Sequence, residues 1–289
     1  MIGRREMLAA GAALLLAGGA GAARRAPGRF GDALAAIEAR SGGRLGVALV
    51  DGRGKPLGGH REDERFPLCS TFKALAAAAV LHRVDQGKER LDRVVRFTRT
   101  DIVANSPVTG AHADGSGLPL ATLCEAAITL SDNSAGNLLL DAIAGPAGLT
   151  AFARTLGDRF TRLDRRETAL NSAIPGDPRD TTTPAAMALD YVRLASGPML
   201  SSASRAQWLT WLAANRTGGT RLRAGLPAGW RIADKTGTGE NGTSNHVALL
   251  WPPGGGMMAV AVYLTGSPLD MAGRDAALAD VARAIVASE

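Results

Sequence analysis

The sequence predicts an α/β fold of the α+β sandwich kind. Both ends of the chain build one sheet with helices, and the middle builds an all-helical insert. Three observations carry this. A strand–turn–strand pattern, RLGVALVD, GRG and KPLGGH, stands near the start. Three further strand patterns, GWRIADKTGT, NHVALLWPP and MMAVAVYLT, stand together over 229–265. Between them, over 68–215, the apolar spacing is helical and broken by loops.

The chain opens on a targeting segment, residues 1–23. A short basic start and an apolar, Gly-rich stretch precede small residues and Arg24. Arg4-Arg5 followed by Glu6-Met7-Leu8 fits a twin-arginine signal; an ordinary secretory signal with two adjacent arginines is the plainer alternative. Cleavage fits after Ala22 or Ala23, giving a periplasmic or secreted protein. No later run is long and apolar enough for a stable membrane anchor. FGDALAAIEAR then has helical spacing over 30–40. In the insert, helices are expected over 71–86, 120–130, 134–144, 150–156, 184–196 and 202–214. Residues 162–183 show no period and are rich in Pro, Asp and Thr. Long loops of that kind inside compact domains are usually functional. Asp275–Ala287 closes the chain as an amphipathic helix. The expected division is therefore 27–66 with 216–289 as the α/β domain, and 67–215 as the all-helical domain including the 162–183 loop. A cleft where they meet is the natural place for a site.

Composition narrows the function. Net charge is +6, but the arginines are scattered among acids, as in RLDRRE, and no basic run alternates with aromatics. No nucleic-acid partner is expected. Two cysteines, Cys69 and Cys124, in an exported chain invite a disulfide. Cys69 abuts the candidate nucleophile and Cys124 lies in another helical segment, so free thiols packed as small hydrophobes are the expectation. The histidines show no H-x-H or H-E-x-x-H spacing, so no metal or other cofactor is expected. Only four of the 33 cationic side chains are lysines, and one of them, Lys73, lies in the apolar stretch LCSTFKALAAAAV. Arginine stays protonated, whereas a buried lysine can give up its proton.

Three short motifs could carry chemistry. In Ser70-Thr71-Phe72-Lys73, helical spacing puts the serine and the lysine on one face, where the amine could activate the hydroxyl. The plain alternative is a snorkelling or ion-paired lysine. In Ser131-Asp132-Asn133, all three residues favour turns and helix caps, and capping is the expected role of Asp132. Ser131 and Asn133 could project into the cleft. In Lys235-Thr236-Gly237-Thr238, a strand could offer a cation and hydroxyls to an anion, with Gly237 allowing a ligand close to the backbone. Each motif alone is weak.

Together, in this order, they resemble the class A serine β-lactamases and, more distantly, the penicillin-binding proteins. The likeness extends through SPVTG (106–110), LCEAAITLSDNSAGNLLL (123–140), RLDRRETALN (162–171), DPRDTTTP (177–184) and LPAGWRIADKTGTG (226–239). It implies an antiparallel five-stranded sheet flanked by helices, and an active site in the cleft beside the helical domain. It implies a β-lactam substrate, water as co-substrate and antibiotic resistance as the outcome; a monomer is expected because no long exposed apolar stripe stands out in the sequence. Ser70 would form the acyl-enzyme and Lys73 would carry its proton, or Glu167 would through water. Ser131 would deliver a proton to the leaving nitrogen. Glu167 and Asn171, in an E-x-x-L-N element, would hold the deacylating water. Asn133, Arg221, Lys235, Thr236 and Thr238 would bind substrate, and the N–H groups of Ser70 and Thr238 would form the oxyanion hole. Arg165 and Asp180 would pin the loop. A D-Ala-D-Ala peptidase or a penicillin-binding sensor shares the motifs, but Glu167 argues against the first, and the second would normally be tethered by a membrane helix, which is not expected here. Four positions depart from the common pattern: Ser244 replaces an arginine, Asn105 replaces an aromatic residue, and Gly239 and Ala77 stand where some members have disulfide partners for Cys69 and Cys124.

Overall fold

The computed structural model describes residues 29–289; the targeting segment and its cleavage site lie outside the described residues. Helix α1 (Arg29–Ser41) turns Leu34 and Ile37 inward and carries Asp32 in its first turn and Arg40 in its last, the charge order a helix dipole favours. Strands β1 (Arg44–Asp51) and β2 (Pro56–His60) form the hairpin. Strands β3 (Arg231–Gly239), β4 (Thr243–Trp251) and β5 (Met258–Thr265) come from the far end of the chain. They join in the order β2-β1-β5-β4-β3, with every neighbouring pair antiparallel. The last strand in sequence thus sits at the centre, and β3 is an edge.

Both faces of the sheet are covered, which is why RLGVALVD is apolar nearly throughout. Successive side chains point to opposite faces. Val47 and Leu49 pack with α1 and with α9 (Met271–Val286) through Leu34, Leu278 and Val281. Ala48, Val50, Val247 and Tyr263 face the other way, into one continuous core with the helical segment. At its heart is α2 (Phe72–Asp85), buried on all sides from Phe72 to Leu81. A helix with no exposed face needs no polar stripe, and its alanines let neighbours approach. Those neighbours are α3 (Leu120–Thr129), α4 (Asn133–Ala142), α5 (Gly145–Thr155) and α7 (Ser202–Ala213), while α6 (Pro184–Ser196) lies on the sheet. Among the described residues, no helix is long and apolar enough to cross a membrane.

The differences from expectation are local. Helix α5 starts at Gly145 rather than 150, with Pro146 in its first turn, where the missing N–H costs nothing. Helix α9 starts at Met271 because Asp270 accepts from Gly273 N–H and caps it. Strand β4 stops at Trp251, before Pro252-Pro253, which cannot continue a ladder. Helix α8 (Leu222–Gly225) is a single turn, too short to show a period. The 162–183 segment is a loop, with a 3₁₀ turn at Ala169–Ser172 and a short pairing of Thr181–Thr182 with Phe66–Pro67. Both cysteines are buried free thiols, and burial pushes both far above an ordinary thiol.

A carboxylate ties α1 to the sheet. Glu38 accepts from Leu45 N–H (2.9 Å), Arg61 Nε (2.7 Å) and His60 Nε2 (3.0 Å). Burial alone would raise this carboxyl, but the hydrogen bonds from Arg61, Leu45 and His60 outweigh it and bring it from 4.5 to about 2. Its contribution to stability is therefore full above pH 4.5 and is lost as the pH falls to about 2. Glu38→Gln is expected to melt about 2–5 °C below the parent at neutral pH. The gap should close as melts are repeated down through that window.

Candidate active site

The site is assembled around one buried ammonium. Lys73 is fully buried in the first turn of α2. Its Nζ donates to Asn133 Oδ1 (2.6 Å), Ser131 O (2.8 Å) and Ser70 Oγ (3.0 Å), and stands 3.0 Å from Glu167 Oε1. Burial pushes the amine below its usual range, while the Glu167 carboxylate opposes that shift. Ser70 Oγ in turn donates to Glu167 Oε1 (3.0 Å). Ser70 sits in a 3₁₀ turn, Cys69–Thr71, that leads into α2. The turn is set by Cys69 at φ 44°, and Ser131 opposite has φ 57°. Side chains other than glycine rarely adopt either conformation, and such strain clusters at functional sites.

Each partner of Lys73 is held in turn. Asp132 caps α4 by accepting from Ala135 N–H (2.8 Å), and also accepts from Val108 N–H, Thr109 N–H and the Thr109 hydroxyl. Asn133 spends its amide on Lys73 and on Ala104 O (2.8 Å). Asn137 clamps the Glu167 backbone from both sides: its Oδ1 accepts from Glu167 N–H (2.9 Å) and its Nδ2 donates to Glu167 O (3.0 Å). Asn171 Nδ2 donates to Glu167 Oε2 (2.5 Å), leaving its own buried Oδ1 without a protein partner. The loop ends are joined by Arg165 Nε on Asp180 Oδ2 (2.6 Å) and by the N–H groups of Asp164 and Arg165 on Asp180 Oδ1.

Across a cleft of about 220 Å³ lies the edge strand β3. Lys235 Nζ donates to Ser131 Oγ (3.0 Å) and Thr236 O (2.8 Å). Burial, then the nearby Lys73 charge, pushes this amine well below its ordinary value. Arg221 lies behind the strand with every N–H directed at protein. It donates to Asp275, to the carbonyls of Gly237 and Asn245, to Thr238 Oγ1 (2.8 Å) and to the Met271 sulfur.

The comparisons with known proteins agree with this geometry. The model of the β-lactamase enzyme family matches residues 29–288. β-Lactamase AST-1 of Nocardia asteroides is 49% identical over 87% of this chain and 81% of its own. The ancestral (GNCA) class A β-lactamase superposes with a TM-score of 0.88 at 59% identity, over 90% of this chain and 100% of that one. The putative class A β-lactamase PenP from Rhodopseudomonas palustris does so at 0.88 and 56%, over 90% and 99%.

The chain belongs to the class A β-lactamases.

In this β-lactamase, the structure brings Ser70, Lys73, Ser131, Asn133 and Glu167 into contact around one ammonium. Ser70, Ser131, Asn133, Asn171, Arg221, Thr236 and Thr238 line the cleft, with Asn105 at its exposed mouth. Gly237 differs from expectation. It lines the cleft, but a Cβ there would come within 3.0 Å of Leu68 O and 3.2 Å of Cys69 Cβ, so it also admits the Ser70 turn. Gly239 likewise clears Cys69 Sγ, which a Cβ would approach to 2.7 Å.

Sequence reasoning missed Gly136, Asn137 and Thr217. Asn137 lies four residues after Asn133 on one helix, a spacing that placed it on the same face. Gly136 sits inside α4 against its propensity, which is a signal of close approach. A Cβ there would meet Lys73 Cε at 2.8 Å. Lys73 cannot yield without leaving its oxygens. Gly136→Ala is therefore expected to cost about 1–3 kcal/mol of stability. It should also lower turnover of a chromogenic cephalosporin at least about ten-fold; melting curves and steady-state rates check both.

Proposed function

We propose that this serine β-lactamase opens the lactam through a Ser70 acyl-enzyme that Glu167 then clears with water. The observation that carries this is Glu167 Oε1, which stands 3.0 Å from both Ser70 Oγ and Lys73 Nζ. A carboxylate so placed can serve the serine before acylation and water after it.

The proton count supports the role of Lys73. Four oxygens surround an amine that holds three protons when charged and two when neutral. Two of these oxygens, on Ser131 and Asn133, are carbonyls that can only accept. They take two protons in either state. The third position then either donates toward Ser70 and Glu167 or presents a lone pair to the Ser70 proton. Ser70 can pass that proton to the neutral amine or to Glu167. Both routes leave it within the Lys73–Glu167 pair.

The edge position of β3 leaves backbone donors facing the cleft. The Thr238 and Ser70 N–H groups would hold the oxyanion there. Ser131, fed by Lys235, would protonate the leaving nitrogen. Lys235, Thr236 and Thr238 would hold the substrate carboxylate. Arg221 would act through Thr238 and through its buried charge. Asn133 would orient Lys73 and the substrate's amide. For deacylation, the unpartnered Asn171 Oδ1 and Glu167 supply the two acceptors that a water attacking the ester needs. The strand and helix pattern supports a division into 27–66 with 216–289 and 67–215. The basic, apolar start of the chain supports export through the twin-arginine pathway, and a sequence without a long exposed apolar stripe supports action as a monomer.

Glu167→Ala is expected to show a stoichiometric burst with a chromogenic cephalosporin and a trapped Ser70 adduct by mass, with deacylation slowed by about 10²–10⁴-fold. A burst without turnover in the parent as well would identify a penicillin-binding protein instead. Lys73→Arg keeps the charge but cannot release a proton. Its acylation rate should fall by about 10²–10⁴-fold, and near-normal turnover in that variant would remove Lys73 from the proton path.

A further inference from the structure

Behind the cleft, a chain of hydrogen bonds runs from the sheet to Thr236. Its direction is set by two backbone N–H groups, which can only donate. Leu222 N–H donates to His246 Nδ1 (3.2 Å), so the ring proton sits on Nε2, which donates to Asp234 Oδ2 (2.8 Å). Asn215 Nδ2 donates to the same oxygen (2.5 Å). At the other end of that amide, Thr217 N–H donates to Asn215 Oδ1 (3.1 Å), which agrees on the orientation.

The last two links then have one solution. Thr217 Oγ1 lies 2.8 Å from Asn215 Oδ1 and 2.5 Å from Thr236 Oγ1. Each oxygen–oxygen contact needs a proton between its atoms, and the amide oxygen has none to give. Thr217 therefore donates its single proton to Asn215, and Thr236 donates its own to Thr217. Thr238 is set the opposite way. Its Oγ1 accepts from Arg221 Nη2 (2.8 Å), which leaves its proton for a ligand. All three threonines line the same cleft.

We propose that Thr217 tunes the grip on the substrate by competing with its carboxylate for the Thr236 proton. This rests on the assignment of Thr236 to the carboxylate. An arriving carboxylate has no proton to offer and must take the one that Thr217 holds. Thr217 Oγ1 is then left as an acceptor without a donor, and part of the new hydrogen bond is offset. Thr217 is thus a positioning residue acting through Thr236, while Asn215, Asp234 and His246 keep the chain pointing one way. The effect falls on ground-state binding, which an enzyme gains little by strengthening.

The test is calorimetric titration of the Ser70→Ala protein with benzylpenicillin and with its methyl ester. The forms compared are the Ser70→Ala parent and the same protein carrying Thr217→Val, Thr217→Ser or Thr236→Val. Valine matches the shape of threonine and removes the competing acceptor, while Asn215 Oδ1 keeps the Thr217 N–H. Thr217→Val should bind the free acid about five-fold more tightly and the ester unchanged. Thr217→Ser, which keeps the acceptor, should bind both like the parent. Thr236→Val should weaken the acid alone. If Thr236→Val weakens the acid but Thr217→Val leaves it unchanged or weaker, competition is overturned. An equal shift on acid and ester overturns it too. If Thr236→Val leaves the acid unaffected, the carboxylate assignment itself fails. Should the valine protein not melt cooperatively, Thr217→Ala carries the same expected signs.

Discussion

A charged amine without water needs oxygens held at contact distance, and that requirement at Lys73 organises this molecule. Its four oxygens come from the Ser70 turn, the start of α4 and the long loop. None is supplied by the helix that carries the lysine beyond its first turn. Removing any one partner of a buried charge is costly, so each is itself secured: Asp132 fixes the backbone of Ser131 and Asn133, Asn137 grips Glu167, and the Arg165–Asp180 pair closes the loop that presents it. Gly136 supplies the clearance. These residues sit in three chain segments and answer to one geometric demand.

Three buried cations surround the cleft, and each is treated differently. Lys73 touches the Glu167 carboxylate and the Ser70 hydroxyl directly, each at 3.0 Å. Lys235 leans on neutral oxygens, and burial together with Lys73 pushes it furthest. Arg221 is paired with Asp275 and saturated by carbonyls, so it keeps its charge and passes its influence through a threonine. A buried lysine can give up its proton whereas an arginine keeps its charge, so the two side chains are not interchangeable at these positions. It also explains why a chain that otherwise favours arginine retains lysine at both positions.

Much of this was legible in the sequence. The strands, most helix bounds and the loop nature of 162–183 follow from period and from turn residues. The three motifs named Ser70, Lys73, Ser131 and Lys235, and likeness to a family was needed to name Glu167 and Asn171. What stayed hidden was relational. Asn137 and Thr217 are ordinary polar residues until the fold shows which atoms they face. Gly237 carried the right signal, close approach, but nothing in a strand pattern tells which neighbour comes close. The saturation of Arg221 is likewise invisible, because its carbonyl partners belong to residues whose side chains are irrelevant to it.

The order of strands in the sheet has a consequence for how the chain is made. Strand β5 occupies the centre, and β1 finds its partner there more than 200 residues further along, with Ala48 opposite Ala261. Closing such a loop is slow, and contacts so distant in sequence delay folding. The hairpin of β1 and β2 emerges from the ribosome early and waits, with one edge unpaired, until nearly the whole polypeptide has been synthesised. The helices between can form locally in the interval, but the core they share with the sheet cannot close. Closure of the sheet thereby waits for the last strand, and until then the hairpin keeps an unpaired edge open to other chains.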